Sequence, residues 1–268
     1  METHTTSHGL SLKKRVTLFT SFLILLLPMV VVADVCTYEK TVSFTVLVDA
    51  VQRLSIRAET GALAVHALPA QDGGQDEVRV EARVCSARKA YLDDMDVAHA
   101  LNGDVLLVQA VIPEIESAFW INHYPYIDLD IGIPAGLAVT IKDSSGDIQV
   151  SGTGTLRIDD GSGGINVRNI VGDVTIEDGS GEINVEQVDG AVDIRDGSGS
   201  IDISHVMSSV VVDDGSGELR IAQVGGTVSI SDGSGSIDVM DVEQAVTILE
   251  DGSGSTEYRN ITGDIFLP

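Results

Sequence analysis

The sequence predicts an all-β protein whose larger part is a β-solenoid, a parallel β-helix-like stack of ~18-residue coils, with irregular longer coils at its amino-terminal end. Three observations predict it. The tetrapeptide Asp-Gly-Ser-Gly begins at Asp160, Asp178, Asp196, Asp214, Asp232 and Asp251, at intervals of 18, 18, 18, 18 and 19 residues. Between these motifs apolar and polar residues alternate, as at Ile183 and Val185 and again at Val192 and Ile194, the period of two that marks half-buried strands. A single coil such as 178–195 offers only five inward apolar side chains, Ile183, Val185, Val188, Val192 and Ile194. Ordering its backbone costs roughly 1 to 2 kcal/mol per residue, so a coil gains a sufficient core only by stacking on its neighbours.

Residues 1–33 come first. Lys13, Lys14 and Arg15 precede an apolar run from Val16 to Val32, with small side chains at Val31 and Ala33. This is the layout of a secretory signal peptide with cleavage after Ala33; an uncleaved membrane anchor has the same charge orientation. Without these residues 13 Lys and Arg remain against 40 Asp and Glu, a net charge of −27. Such a chain repels nucleic acid and anionic lipid, so membrane contact is expected only through an uncleaved anchor. The same charge keeps a large sheet surface soluble.

Residues 34–140 keep the strand alphabet without the strict period. Strands are expected at Thr41–Val48, Leu54–Ala58, Glu77–Val84, Asp104–Val111 and Ile127–Ile133, with loop and one helical turn over 87–102. The expectation is a continuation of the same stack in longer coils; the alternative is a separate amino-terminal β-sandwich. Both cysteines, Cys36 and Cys85, lie here, and in an exported chain they are expected to form a disulfide. Near the end of the region, Phe119, Trp120, Tyr124 and Tyr126 gather the only Trp with three other aromatics. These rings either cover one end of the stack or form a projecting contact for an envelope protein or a glycan.

Residues 141–268 are the repeats. The coil from Asp178 reads DGSGEINVEQVDGAVDIR, with the Asp-Gly-Ser-Gly corner at one side and a second corner near Gly190 at the other. Stacking turns each motif position into a file at about 4.8 Å spacing: Ile165, Ile183, Ile201, Leu219 and Ile237 make one interior file, and Val167, Val185, Ile203, Ile221 and Val239 the next. Asp143-Ser144-Ser145-Gly146 opens the series as a degenerate first coil. At the far end Thr256, Glu257 and Arg259 bring polar groups to the coil from Asp251, a pattern that blunts an open sheet edge.

Three stretches carry a resemblance: Ile127 to Gly136, Asp143 to Val150, and the repeats themselves. In these the chain resembles the bacterial putative-adhesin family of unknown function. That resemblance implies an exported β-solenoid of the periplasm, cell envelope or cell surface, and it brings no catalytic residues with it.

Each motif Asp follows the last inward residue of its strand by two, as Asp178 follows Ile176, so its carboxylate starts on the interior side of the corner. Neighbours in such a file repel by roughly 1 kcal/mol per pair in water and several times more at an effective dielectric of 20. One resolution is that each carboxylate accepts hydrogen bonds from the amides of the following Gly-Ser-Gly. The other is a calcium-binding, β-roll-like module with Asp160, Asp178, Asp196, Asp214, Asp232 and Asp251 as ligands. Against calcium, each Asp precedes its glycines and only one corner per coil has the full motif. A polysaccharide-active β-helix enzyme is the third reading, and the weakest, because the Ser file has no matching His file: His66, His99, His123 and His205 occur singly. The sequence therefore points to a non-catalytic structural or binding module that needs no cofactor.

Overall fold

The computed structural model describes residues 36–48, 51–69, 76–113 and 125–268. Among these described residues, apolar side chains at alternate positions build 22 strands, joined by one short helix. The first part holds β1 (Tyr38–Leu47), β2 (Arg53–Arg57), β3 (Leu63–Ala67), β4 (Glu77–Ser86), α1 (Lys89–Asp94), β5 (Asp96–Asn102), β6 (Val105–Val111), β7 (Tyr126–Ile133) and β8 (Ala138–Lys142). The repeats supply β9 (Ile148–Ser151), β10 (Leu156–Asp160), β11 (Ile165–Ile170), β12 (Val174–Asp178), β13 (Gly181–Val188), β14 (Val192–Asp196), β15 (Gly199–Val206) and β16 (Val210–Asp214). They close with β17 (Gly217–Val224), β18 (Val228–Asp232), β19 (Gly235–Val242), β20 (Val246–Asp251), β21 (Gly254–Ile261) and β22 (Ile265–Phe266).

Each coil gives one strand to each of two 11-stranded sheets. Sheet A runs β1-β4-β7-β3-β9-β11-β13-β15-β17-β19-β21, and sheet B runs β22-β20-β18-β16-β14-β12-β10-β8-β2-β6-β5. The result is a β-solenoid of about seven turns with ~18-residue coils. From β8 onward every pairing is parallel and in chain order, and motif positions meet their equivalents: Ile165 pairs with Ile183, Ile183 with Ile201, and Ile201 with Leu219. Those side chains are at most 1% exposed. The core is a continuous aliphatic column between the sheets, as the period of two requires.

Over 38–133 the strands join the same two sheets, but not as successive coils. The β2–β3 rung sits between the rung of β6 and β7 and the rung of β8 and β9, paired in parallel on both sides. Beyond it β1, β4 and β5 pair antiparallel, β1 with β4, β4 with β7, and β5 with β6. The helical turn expected within 87–102 is α1, yet 96–102, predicted as loop, is the edge strand β5. Of its seven residues only Val97 is buried, so its composition carries no alternation to read. Strand β3, also absent from the expected set, alternates in burial but is only five residues long. A disulfide joins Cys36 and Cys85, with their Cα atoms 5.4 Å apart, and ties the start of β1 to the end of β4. Residues 1–33, with the expected signal peptide, lie outside the described residues. Among the described residues no helix is long and apolar enough to cross a membrane.

Two features set the corners. The second glycine of each motif, at Gly163, Gly181, Gly199, Gly217, Gly235 and Gly254, has a positive φ, and a Cβ built there would overlap the carbonyl oxygen of the equivalent residue one coil earlier. At the opposite corner Asn169, Gln187, His205, Gln223, Asp241 and Asn260 adopt left-handed backbone, with φ of 54 to 59°. Each of these residues is skipped by the pairing ladder, so the next inward side chain comes three positions later; Val188, for example, follows Val185 inward. That shift places a third apolar file, Ile170, Val188, Val206, Val224 and Val242, within the core.

Candidate functional site

The most distinctive chemical feature is the file of motif aspartates. From Asp160 to Asp232 each ends its strand as the third inward residue, so parity places it inside; β12, for instance, has Val174, Ile176 and Asp178 buried. In register Asp160 meets Asp178, then Asp196, Asp214, Asp232 and Asp251. Asp143 precedes the file by one coil, following Lys142, which pairs with Asp159. Asp143, Asp160, Asp178, Asp196, Asp214 and Asp232 are all between 2 and 8% exposed. Asp251 is exposed, and its Oδ2 accepts a hydrogen bond from the Thr256 hydroxyl at 2.8 Å.

One oxygen of most members has a backbone partner. The amides of Ser180, Ser198, Ser216 and Ser234 donate to Oδ1 of Asp178, Asp196, Asp214 and Asp232 at 3.1 to 3.3 Å, and Gly161 donates to Asp160 at 2.7 Å. These are the Asx-type corners that the motif predicts. The other oxygen, Oδ2, is buried without a hydrogen-bond partner in Asp160, Asp178, Asp196, Asp214 and Asp232, and Asp143 leaves both oxygens so. Burial pushes Asp143 up to about 7; the Ser144 and Ser145 amides, near its carboxylate but outside hydrogen-bond geometry, oppose this, and the charge of Asp160 adds to it. Burial likewise pushes Asp214 up to about 6, and Asp196 and Asp232 act on it in the same direction while the Ser216 amide opposes. Asp160, Asp178, Asp196 and Asp232 are raised for the same first reason, loss of water.

The remaining candidates are dispersed. His66 Nδ1 lies 3.2 Å from Asp130 on an exposed face, His99 stacks on Phe44 with ring centroids 4.4 Å apart, and His205 holds a corner of left-handed backbone. His123 lies outside the described residues, as do Phe119, Trp120 and Tyr124. Tyr126 is described: it is half-buried on β7, its hydroxyl is 3.2 Å from Arg83 Nη1, and the Arg83 guanidinium carbon stands 5.8 Å from its ring centre. Arg83 also reaches Glu39 at 3.3 Å and Asp128 at 3.4 Å. Among the described residues no group of three or more His, Cys, Asp or Glu is arranged to hold a metal ion.

Outward positions form polar files on both sheets. On sheet A, Gln149, Asn166 and Asn184 are register neighbours, and with His66, Ser151 and Arg168 they line a depression of about 450 Å³. On sheet B, Lys142 meets Asp159 at 3.1 Å, while Arg157 and Arg195 both reach Glu177, at 2.8 and 3.4 Å. Exposed ion pairs of this kind contribute about 0 to 1 kcal/mol each, so they fix side-chain positions on the surface more than they stabilise the fold.

Sequence reasoning missed the corner file at 169, 187, 205, 223, 241 and 260. Its signal was present: the same place in every coil holds Asn, Gln, His or Asp, and Asn, Asp and His are the side chains that most often accept left-handed backbone.

The family model described as Toastrack DUF4097 matches residues 112–264. No curated protein matches the sequence. Among solved structures, the chain is similar to a putative cell adhesion protein from Clostridium sporogenes, 10% identical over 86% of this chain and 99% of that one, with a TM-score of 0.32. It is similar to a putative adhesin from Bacteroides fragilis, 11% identical over 85% and 97% of the two chains, with a TM-score of 0.38. A putative lipid binding protein from Parabacteroides distasonis is 12% identical over 85% and 96%, with a TM-score of 0.39.

Proposed function

Because the chain belongs to the Toastrack DUF4097 family, a family of unknown function, we propose its role from its own surface: an exported, non-catalytic β-solenoid that presents a rigid, acidic, polar face to a protein or glycan of the cell envelope. The observation that carries this reading is the division of labour between inside and outside. The corner acids from Asp143 to Asp232 are buried, and among the described residues His66, His99 and His205 stand apart from one another, so these side chains do not converge on one space. The outward files of amide, hydroxyl and charged groups run in register over successive coils. A repeating polar face of this kind suits an extended, hydrogen-bonding partner. Export is supported by the Cys36–Cys85 disulfide, since such bonds persist in oxidising compartments.

The test is a binding screen of the purified protein against isolated envelope proteins and polysaccharides, read alongside product analysis. Retention of one partner class without turnover is expected, and the triple variant Gln149→Ala, Asn166→Ala, Asn184→Ala should weaken it at unchanged melting temperature. Turnover of any polysaccharide, lost on changing a single Asp, would overturn the non-catalytic reading.

A further inference from the structure

Ionised carboxylates that have lost water and lack partners are costly, and the file from Asp143 to Asp232 repeats that situation at six successive rungs. Each member is more than nine-tenths buried, each has at least one oxygen without a hydrogen-bond partner, and from Asp160 on the members are register partners. Rungs in a parallel sheet stand about 4.8 Å apart, a spacing that a carboxyl with its two oxygens along the stack bridges to hydrogen-bond distance.

Either a metal cation or a proton could relieve the repulsion. A hard divalent ion takes about six to eight oxygen ligands, whereas a linear file offers only two carboxyls to each gap, and no three such side chains are grouped for a metal among the described residues. A proton needs one donor and one acceptor, which two stacked carboxyls supply. We propose that Asp143, Asp160, Asp178, Asp196, Asp214 and Asp232 form a proton-binding column, in which a protonated Oδ2 on one rung donates a hydrogen bond to the ionised carboxylate of the next. The protons come from solvent and return to it as pH rises, and only O–H bonds form or break.

The groups around the column favour proton retention. Glu59, ahead of β3, acts on Asp143; Asp159 and Asp213 stand beside column members on their own strands; Asp251 acts on Asp232 and on Tyr258 at the other end. Glu177 and Arg195 line the outside of the same corner, and Arg195 is engaged by Glu177 at 3.4 Å and Asp193 at 4.0 Å.

The sign of the pH dependence follows. These carboxyls hold protons more tightly folded than unfolded, where an Asp titrates near about 3.9. The stabilisation is complete below that value and is lost as pH rises through the folded values, about 6 for Asp214 and about 7 for Asp143. The solenoid is thus more stable at pH 5 than at pH 8.

The deciding experiment follows the carboxyl carbons of the full chain by NMR after labelling with carbon-13 aspartate, together with its melting temperature from pH 5 to pH 8. At least two carboxyls should titrate with midpoints near those of Asp214 and Asp143, and the melting temperature should fall by several degrees across the range. The double variant Asp196→Asn, Asp214→Asn places fixed amide donors in the middle of the column and should lose the part of that fall near the Asp214 midpoint while keeping the part due to Asp143. If it does not fold, the titration of the unaltered chain decides alone. Titration of every carboxyl near pH 4 would overturn the proposal, and so would a melting temperature that rises saturably with calcium after chelation, which would make a metal the occupant.

Discussion

At the scale of single residues, the repeat is held by positions that admit one side chain for a steric reason. Gly199 combines a φ of 154° with a backbone so close that an added Cβ would overlap the Gly181 carbonyl oxygen, whereas Gly103, at φ 65°, has nothing within 4 Å. Gly199→Ala should therefore destabilise by about 2 to 4 kcal/mol, from backbone strain and overpacking together, while Gly103→Ala should cost only about 1 kcal/mol for left-handed backbone. Urea unfolding of the two variants measures both values, and equal costs would contradict the steric account. The need for glycine here was legible in the sequence, because the motif repeats its glycines at every coil. The left-handed residues at the other corner were not, since an unspecified polar position between Val185 and Val188 reads as ordinary strand surface until the skipped rung is seen. The aspartates fall between these cases: parity with Ile176 placed them on the interior side, but whether water reached them depended on how tightly the corner closed.

At the scale of elements, the strands of the repeat were predictable because each is buried on the same alternate positions as its neighbours. The amino-terminal strands carry weaker signals. Strand β5 shows one buried residue in seven, and β1 has none that is fully buried, with its inward Val42, Phe44 and Val46 only partly covered. Their antiparallel direction follows from pairing partners far away in sequence, which no local pattern encodes. An edge strand with so little burial depends on its covalent tie, and closing the 49-residue separation between Cys36 and Cys85 contributes about 4 kcal/mol on the chain-entropy estimate. Replacing both cysteines by serine should release β1 before anything else. Hydrogen exchange is expected to rise in Tyr38–Leu47 while Gly199–Val206 stays protected; uniform loss of protection would mean that the disulfide supports the whole stack rather than one edge.

At the scale of the whole molecule, the repeats behave as a one-dimensional assembly in which each coil touches only the coils before and after it. The parallel register from β10 to β19 pairs like with like, so the interior file of isoleucines and leucine, the valine files and the aspartate column there all share one translation. Removing one whole translation leaves every surviving contact of the same kind. Deletion of 196–213 would join Arg195 to Asp214 and set β14 beside β18, matching Val192 to Val228 and Ile194 to Ile230, both pairs fully buried. That shortened protein should fold cooperatively, with a denaturant slope lower by roughly a tenth or less, in keeping with the smaller surface exposed on unfolding. Deletion of 196–204, half a coil, would instead deliver a sheet A sequence to sheet B and turn buried valines toward water, so it should fail to fold. Circular dichroism and urea titration of the two deletions compare the cases directly. Equal behaviour would show that the 18-residue period is a spacing of turns alone and not the unit of the core.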